Sequence, residues 1–398
     1  MQDRDATSST DTLVSPFTFN TTKSLEFGHG KLAALPTLLD MIAPGAVFLV
    51  TDPGLLATGI VDRVNALLAA AGRSVTVFSD VQADPPETVI LAAVDAAQAA
   101  RAGIILGLGG GSSLDVAKLV AALVPGHQTL AQMYGVGNAT GPRLPLVLVP
   151  TTAGTGSEVT PISIVTTGAQ EKMGVVSPIL LPDLALLDPE LTLGLPAPVT
   201  AATGIDAMVH AIEAYASANA NNNPLSKALA VQALQLMGRA LLRAVQDGSD
   251  TGARADMLLG SMLAGQAFAN SPVAAVHALA YPLGGHFHIP HGLSNALVLP
   301  HVLRFNAVVA PQPYAELAPH LFPDLAGLNG QECATALCDR LADLSAACGL
   351  PQRLRDMGID RAILPRLASD AMNQTRLLVN NPRPVTQADA LEIYTAAF

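Results

Sequence analysis

The chain has 398 residues, of which half are hydrophobic and 13% are charged, and its formal net charge at neutral pH is −11. This composition argues against disorder and supplies enough apolar side chains for more than one core. The negative charge disfavours a nucleic-acid partner, and the lack of tryptophan with only 4% aromatic residues disfavours base-stacking surfaces. We therefore expect a globular protein of two domains that does not bind nucleic acid.

Residues 17–198 alternate short apolar runs with Ala-rich amphipathic stretches. The apolar runs predict buried strands, and the stretches between them predict helices. This alternation predicts a parallel sheet with right-handed crossovers, and such a sheet binds ligands at the carboxyl ends of its strands. The predicted strands are 46–50, 74–78, 103–107 and 144–149, and the predicted helices are 55–70 and 85–102.

After Pro198 the pattern changes to helical periods with few β-branched runs between them. We therefore predict that residues 1–198 form an α/β domain and that residues 199–398 form an all-α domain. The boundary is expected in the proline-rich segment 195–198. The predicted helices are 200–216, 224–245, 253–269 and 331–348.

The cysteines and the N-terminus bear on the compartment. The odd number of cysteines, all near the C-terminus, predicts free thiols in a reducing environment. The segment Met1–Thr12 lacks the apolar centre of a signal peptide, and no stretch approaches the roughly 18 consecutive apolar residues of a membrane span. We expect a cytoplasmic protein without a membrane partner. The cysteines are Cys333, Cys338 and Cys348.

One carboxylate and three imidazoles in the second half can form the ligand set of a divalent transition metal. Asp206 and His210 are four residues apart, so a helix places them on one face. His277 and His291 would have to approach from a different segment. If the four side chains converge, the chain is a metal-assisted enzyme.

The segment Gly107–Lys118 joins a predicted strand to a predicted helix and contains four glycines. Glycines let the backbone approach a bound group closely, and a helix N-terminus offers free N–H groups to an anion. The segment is a candidate pyrophosphate site, although Ser112 takes the place of the third glycine in the standard dinucleotide fingerprint. A plain tight turn, with Ser112 or Ser113 as an N-cap, is the alternative.

Two further features are expected at the same edge of the sheet. Asp52 ends the first predicted strand, where a carboxylate can bind both ribose hydroxyls and repel a 2′-phosphate, which favours NAD over NADP. The alternative is a turn aspartate ahead of Pro53 and Gly54. The loop 150–158 follows the fourth predicted strand and is rich in hydroxyls and glycines. Two such loops at one edge favour a nucleotide site.

Taken together, these segments resemble the iron-dependent (group III) alcohol dehydrogenase family. The likeness runs in uninterrupted order through residues 15–398. It implies an N-terminal dinucleotide-binding α/β domain and an all-α C-terminal metal-binding domain, an architecture similar to that of dehydroquinate synthase. The matching segments are 109–112 with Asp115 and Lys118, 150–158, 188–191, 204–215, 277–300 and 381–384.

The resemblance also implies the chemistry, which is hydride transfer between an alcohol or aldehyde and NAD(H), assisted by Fe(II) or alternatively Zn(II). It further implies a homodimer or higher homo-oligomer. The implied metal ligands are Asp206, His210, His277 and His291. The implied dinucleotide contacts are Asp52, Gly109, Gly110, Gly111, Ser112, Ser113, Thr151, Thr152, Thr155 and Lys172.

The chain departs from the family pattern at Tyr281, where many members have a second histidine four residues after the ligand. A phenol can donate a hydrogen bond, but its ordinary pKa of about 10 makes it a poor proton acceptor near neutrality. Tyr281 is therefore a candidate catalytic residue whose proton-transfer role is open. His286 and His288 are possible substitutes, but both are expected to be loop residues without a role.

Two other functions compete with alcohol oxidation. The first is a hydroxy acid or keto acid oxidoreductase of the same family, such as a maleylacetate reductase-like enzyme or a hydroxyacid–oxoacid transhydrogenase. A basic residue in the pocket would favour it, but the sequence does not place one there. The second is a metal-binding or nucleotide-sensing regulator on a retired enzyme fold, which the intact ligand set disfavours.

Overall fold

The structure is a computed structural model that describes residues 15–168 and 171–398. The prediction for Met1–Thr12 therefore lies outside the described residues. Six strands form a parallel sheet in the order β1-β9-β6-β4-β2-β3. The nine strands of the described chain are β1 Leu25–Phe27, β2 Val47–Val50, β3 Val75–Phe78, β4 Ile104–Gly109, β5 Gly135–Val136, β6 Leu146–Pro150, β7 Ile162–Thr167, β8 Glu171–Val176 and β9 Leu184–Leu187.

The sheet is apolar on both faces because helices cover both. Strands β2, β4, β6 and β9 are buried along their whole length, as expected for a doubly covered parallel sheet. Side chains of α1 and α3 pack on one face, and side chains of α4 and α5 on the other. The helices of this region are α1 Leu35–Ile42, α2 Pro53–Leu56, α3 Ile60–Ala70, α4 Glu87–Ala99, α5 Gly111–Leu123 and α6 Leu130–Met133.

A small second sheet was not predicted. Strands β7 and β8 form an antiparallel hairpin, and β5 pairs with β8 in parallel. The hairpin projects beyond the carboxyl edge of the main sheet and contributes Ile162, Ile164 and Lys172 to the cleft described below.

The second half is helical, so the predicted fold class is confirmed. All four predicted helices are present, but six others were not predicted: α10 and α11, which have Pro282 and Pro300 inside them, and α12, α14, α15 and α16. The helices are α7 Ala197–Ala216, α8 Pro224–Gln246, α9 Thr251–Asn270, α10 Ala275–Phe287, α11 His291–Ala307, α12 Gln312–Leu321, α13 Gly330–Ala347, α14 Leu364–Ala371, α15 Thr375–Leu378 and α16 Gln387–Ala397.

Within the described chain, α8 is the one helix that is long and apolar enough to cross a membrane by length and composition. One face of α8 is buried against α7 and α9, and the helix also carries Arg239 and Arg243, which pair with Asp256 and Asp250. These contacts place one face of α8 inside the helical half. The three cysteines are free and buried, as predicted for thiols.

The two halves are joined by close contacts that shape the cleft. The N-terminal segment crosses from the helical half to the sheet, because Thr18 and Asn20 bond to Asn221 and Asn270 before β1 pairs with β9. Behind the loop after β6, Gly156 lies directly against α9. A Cβ on Gly156 would lie 2.6 Å from the Cα of Gly265, so only glycine permits this approach.

Candidate active site

Three helices bring the four predicted metal ligands together. Helix α7 presents Asp206 and His210 one turn apart, α10 presents His277, and α11 begins at His291. The Nε2 atoms of the three histidines lie 3.9, 3.8 and 3.7 Å from Oδ1 of Asp206, in chain order. One ligand atom from each of the four side chains falls within 4.8 Å of the others. The four side chains therefore converge, as the sequence led us to expect.

Close packing lets α11 reach this position. Gly292 follows His291, and a Cβ on Gly292 would overlap the backbone oxygen of Ala202 on α7. Glycine at this position therefore allows the N-terminus of α11 to lie against α7, beside Asp206. The rings of His210 and His277 are stacked with centroids 4.8 Å apart.

A buried glutamate orients His277. Glu213, on α7, accepts the backbone N–H of Val276 at 2.7 Å and lies 2.6 Å from Nδ1 of His277. A carboxylate at this distance holds the proton on Nδ1, so Nε2 keeps a lone pair. Nε2 of His277 is buried and has no hydrogen-bond partner in the described chain. A ring nitrogen without a hydrogen-bond partner that lies close to three other candidate ligands is what a metal site requires.

Asn295 performs the same task for the carboxylate. It lies one turn after His291 on α11, is fully buried, and its amide Nδ2 donates to Oδ1 of Asp206 at 2.6 Å. Burial alone would raise the pKa of Asp206, but the three imidazoles and this amide lower it below the usual range. Burial lowers the pKa of His210 to about 3 and also lowers that of His291. The cluster therefore favours an ionised Asp206 and neutral His210 and His291, the forms that bind metals.

The donor set fits a divalent transition metal. One carboxylate and three imidazoles suit Fe(II) and Zn(II) alike. The sequence predicted these four residues, but it missed Glu213 and Asn295. A signal for both was present, since Glu213 lies three residues after His210 and Asn295 lies four after His291, on the same helix faces.

Tyr281 lies one turn after His277 on α10, and its ring centroid is 5.8 Å from that of His291. Burial raises the pKa of Tyr281, and nearby Arg376 only partly opposes this. The prediction of loop histidines was wrong for His286, which lies within α10 and bonds to Asp370 at 2.7 Å. His288 ends the helix with a left-handed backbone conformation.

The glycine-rich segment forms a tight connection from β4 to α5. Gly110 is the residue before the helix, and no side chain caps the first turn, so the predicted serine N-cap is absent. A Cβ on Gly109 would lie 2.8 Å from Oγ of Ser113, and one on Gly111 would lie 2.7 Å from Cγ2 of Thr155. Glycines are therefore needed here for packing, and the N–H groups of the first turn are left for a ligand.

Asp52 has the structural role that the alternative reading gave it and also faces the glycine-rich segment. Its Oδ1 caps α2 by accepting the N–H of Leu55 at 3.0 Å, and Oδ2 accepts the hydroxyl of Ser113 at 3.3 Å. Asp52 lines a groove together with residues 80–83 and 110–113. This groove is at the carboxyl edge of β2 and β4, where the sequence predicted a nucleotide.

The hydroxyl-rich loop after β6 lies beside the glycine-rich segment. The backbone N–H of Thr151 donates to the oxygen of Gly109 at 3.0 Å, and a Cβ on Gly110 would lie 3.5 Å from Thr152. Thr155 lines the cleft. Lys172, a predicted dinucleotide contact, pairs with Asp84 at 2.6 Å and lines the same cleft.

A buried lysine holds this loop in place. This residue, Lys118, was named from the sequence, but its structural role was not predicted. Lys118 on α5 is fully buried and donates to Ser157 and Thr160 on the loop and to the backbone oxygen of Ile162 at the start of β7. Asp115, one turn earlier on α5, bonds to both Lys118 and Ser157. The network connects α5, the loop and the start of the hairpin, and Asp115, Ser157, Thr160 and Ile162 line the cleft.

One cleft contains both halves of the candidate site. Its walls include all four metal-ligand candidates from the helical half and Gly111, Ser112, Thr155 and Lys172 from the sheet half. Asp52, Gly110 and Ser113 line the adjoining groove, which shares Gly111 and Ser112 with the cleft. Of the remaining predicted dinucleotide contacts, Gly109 is the last residue of β4, and Thr151 and Thr152 follow directly after β6.

The family follows from comparison with known proteins. The family model for iron-containing alcohol dehydrogenase matches residues 22–189, and the model for the C-terminal part of the Fe-containing alcohol dehydrogenase family matches residues 200–398. The chain therefore belongs to the iron-containing alcohol dehydrogenase family and is an oxidoreductase, as its sequence predicted.

Individual relatives agree. Long-chain-alcohol dehydrogenase 1 of Geobacillus thermodenitrificans (strain NG80-2) is 42% identical and covers 93% of this chain and 94% of that protein. The crystal structure of a 1,3-propanediol oxidoreductase has a TM-score of 0.93 and 35% identity, and covers 96% of this chain and 100% of that one. The sulfoacetaldehyde reductase of Bifidobacterium kashiwanohense, solved in complex with NAD+, has a TM-score of 0.85 and 28% identity and covers 96% and 98%.

Proposed function

We propose that this protein is a metal-dependent, NAD(H)-linked alcohol dehydrogenase and aldehyde reductase. The observation that supports this most directly is the single cleft, which is lined by four convergent metal-ligand candidates and by the uncapped N-terminal turn of α5. A hydride-transfer enzyme needs a site for the alcohol oxygen beside a site for the dinucleotide, and the cleft offers both. The retired-enzyme alternative lacks support because no ligand position is lost.

The dinucleotide is proposed to bind along the carboxyl edge of the main sheet. Its pyrophosphate would lie on the N–H groups at the start of α5, where the helix dipole favours an anion. Asp52 would accept hydrogen bonds from the adenosine ribose, which favours NAD over NADP. NAD, when bound, accepts the hydride or supplies it in the reverse reaction. The proposed contacts are Asp52, Gly109, Gly110, Gly111, Ser112, Ser113, Thr151, Thr152, Thr155 and Lys172.

The metal is proposed to be held by Asp206, His210, His277 and His291, with Fe(II) as the first candidate and Zn(II) as the second. A bound divalent ion acts as a Lewis acid that lowers the pKa of an alcohol and polarises a carbonyl. Glu213 and Asn295 hold the ligands in the right protonation state and orientation. Phe268, Val273 and Ile289 give the cleft apolar walls.

The side chains divide the remaining work. The apolar walls exclude water and hold the reacting carbon in place, which favours hydride transfer. Tyr281 lies at the metal cluster and is proposed to shape the pocket and, at most, to donate a hydrogen bond. Its raised pKa keeps the phenol protonated, so it does not accept a proton near neutral pH.

Three coarser expectations belong to the same proposal. We infer two domains, residues 1–198 and residues 199–398, with the cleft between them. We infer a cytoplasmic, soluble enzyme, since the one helix of the described chain that is long and apolar enough to cross a membrane packs one face against α7 and α9. We also infer a homodimer or higher homo-oligomer, by likeness to the family.

Replacing His277 or His291 with Ala tests this function. Each variant should lose bound metal and reduce turnover to below about a thousandth of wild type, because a three-ligand remnant cannot hold the ion in place. NADH binding, followed by its fluorescence, should stay within about twofold, since these residues belong to the helical half. His127→Ala, at an exposed position, is the matched control. Full alcohol oxidation by a metal-free variant would contradict the proposal.

A further inference from the structure

The cleft contains an arginine that the sequence did not place there. Arg376 lies on the short helix α15, far along the chain from the metal ligands, and lines the cleft. Its guanidinium is close enough to Tyr281 to influence the pKa of that phenol. A Cβ on Gly174 of β8 would lie 3.8 Å from Nη2 of Arg376. The guanidinium therefore lies between α10 and the hairpin, at the wall of the substrate pocket.

The guanidinium of Arg376 has no hydrogen-bond or ion-pair partner among the residues that the structure describes. Among the arginines that the structure describes, only Arg101 and Arg376 make no side-chain hydrogen bond, ion pair or ring contact with the described residues. Arg101 does not line the cleft. In a chain with a net charge of −11, an arginine inside a cleft without a carboxylate partner is unusual.

The other charges that line the cleft are compensated. Lys172 pairs with Asp84 at 2.6 Å. Asp115 bonds to Ser157 and to the buried Lys118, and Asp206 belongs to the group of four metal-ligand candidates. Within the described part of the chain, Arg376 is therefore the one cleft-lining charge that nothing balances, so the cleft has a local positive site.

The backbone that carries Arg376 is fixed in place. The amide of buried Asn380 donates to the backbone oxygen of Arg376 and to that of Val273, both at 3.0 Å. Asn219 in turn donates to Oδ1 of Asn380 at 2.8 Å. This network anchors α15 against the helical half, while the guanidinium itself remains exposed and free to bind. An arginine with a fixed backbone and an unpaired guanidinium is well suited to bind a ligand.

We propose that Arg376 binds a carboxylate on the substrate, so that the preferred substrates are aldehydes and alcohols with a carboxylate at the end opposite the reacting carbon. This inference rests on the proposed aldehyde reductase activity and names the substrate class of the same site. The guanidinium offers a planar pair of donors that matches a carboxylate. The apolar walls accommodate the chain between the two ends.

Steady-state reduction of 4-oxobutanoate by NADH, compared with its uncharged isostere 4-oxobutanamide, tests this assignment. Wild type should favour the carboxylate by about tenfold or more in kcat/KM, mainly through KM, because an arginine–carboxylate pair adds binding energy. Added salt should reduce the preference. Arg376→Met should abolish the preference by lowering kcat/KM for the carboxylate more than for the amide, while Arg376→Lys should keep part of it.

Arg366→Met is the matched control, because Arg366 is an exposed arginine outside the cleft on neighbouring α14. Equal kcat/KM for the two aldehydes in wild type would overturn the carboxylate assignment and leave the proposed reductase function intact. A loss in Arg376→Met that is equal for both aldehydes, with a raised KM for NADH, would also overturn it, since the guanidinium would then serve the cofactor. Failure of wild type to reduce either aldehyde would refute the proposed function itself, and this inference with it.

Discussion

The two sides of the cleft are built in different ways. On the sheet side the backbone forms the binding surface, and Gly109 and Gly111 are packed too closely against Ser113 and Thr155 for any Cβ. On the helical side the side chains form it, with Asp206 and His277 each held by a buried partner on α11 or α7. Backbone amides suit an extended ligand such as a pyrophosphate, whereas a metal requires a few directed side-chain atoms.

The two sides also bury charge differently. Among the metal-ligand candidates, Asp206 accepts a hydrogen bond from Asn295, and Nδ1 of His277 lies 2.6 Å from the carboxylate of Glu213. On the sheet side, Lys118 and Glu158 are both fully or almost fully buried, and burial lowers the pKa of the lysine and raises that of the glutamate to about 7. Burial outweighs the mutual attraction of the two charges. The two buried ionisable groups on the sheet side therefore lower the stability of the folded protein. This loss of stability can be measured as a function of pH.

The largest expected effect is that of Glu158→Gln on the pH dependence of stability. The folded protein binds the proton of Glu158 more tightly than the unfolded chain does, so the contribution of this group is most favourable below pH about 4.5 and is lost as the pH rises through about 7. Glutamine does not ionise. The variant should therefore gain on wild type between pH about 5 and 8, by up to about 3 kcal/mol.

Urea unfolding at several pH values measures this difference. Exposed Glu392→Gln is the control, and its difference from wild type should not change with pH over the same range. If the free energies of unfolding of Glu158→Gln and wild type change in parallel with pH, the buried carboxyl does not lower stability. The contrast between the two sides of the cleft would then be wrong on this point.

On the helical side we expect Glu213→Gln to lower metal affinity by about 10- to 100-fold. The glutamine oxygen would keep the N–H of Val276, so its NH2 group would face Nδ1 of His277. Nδ1 would then have to accept, and the proton would move to Nε2, the atom that should bind the metal. Chelator competition measures the affinity.

Glu316→Gln, at an exposed glutamate bonded to Tyr215, is the control for that measurement. NADH affinity should not change in either variant. A Glu213→Gln protein that binds metal as wild type does would show that the carboxylate does not set the tautomer of His277.

On the sheet side, Gly111→Ala should weaken NADH binding by about tenfold and leave metal affinity unchanged. The new Cβ would lie 2.7 Å from Cγ2 of Thr155 and 3.1 Å from its Cβ, so the loop would have to move away from the start of α5. Gly194→Ala, where a Cβ meets nothing within 4 Å, is the control. Equal losses of NADH and metal affinity would show that the two sides are not separable.

The sequence predicted most of the sheet, because strands such as β2, β4 and β6 are apolar runs whose burial leaves a plain pattern. The hairpin of β7 and β8 was missed because its strands are only partly buried and include polar residues such as Thr166 and Lys172. Helices α10 and α11 were missed because local proline signals were overridden by packing in the helical core.

The candidate site was predicted unevenly for a related reason. Asp206 and His210 share a helix face, so their spacing carries information, whereas His277 and His291 were candidates by residue type and the family likeness then implied them as ligands. Arg376 could not be placed, because its position in the cleft depends on how α15 folds back onto the helical half and not on any local pattern. Long-range packing of this kind leaves little trace in a single sequence.

The smallest expected effect concerns Tyr281, where the two sides of the cleft meet. The hydroxyl makes no hydrogen bond to the described residues, and burial raises the pKa of the phenol above its ordinary value of about 10. Tyr281→Phe should therefore change kcat/KM by less than about twofold and leave the pH–rate profile unchanged between about pH 6 and 9. Tyr281→His should instead add a limb on the acid side of neutrality, since the burial that raises the pKa of the phenol would lower that of an imidazole. A large loss of kcat/KM in Tyr281→Phe, or the removal of a limb from the pH–rate profile, would contradict this expectation. The phenol would then be part of the proton path, and Tyr281 would act in the chemistry together with the metal-ligand candidates.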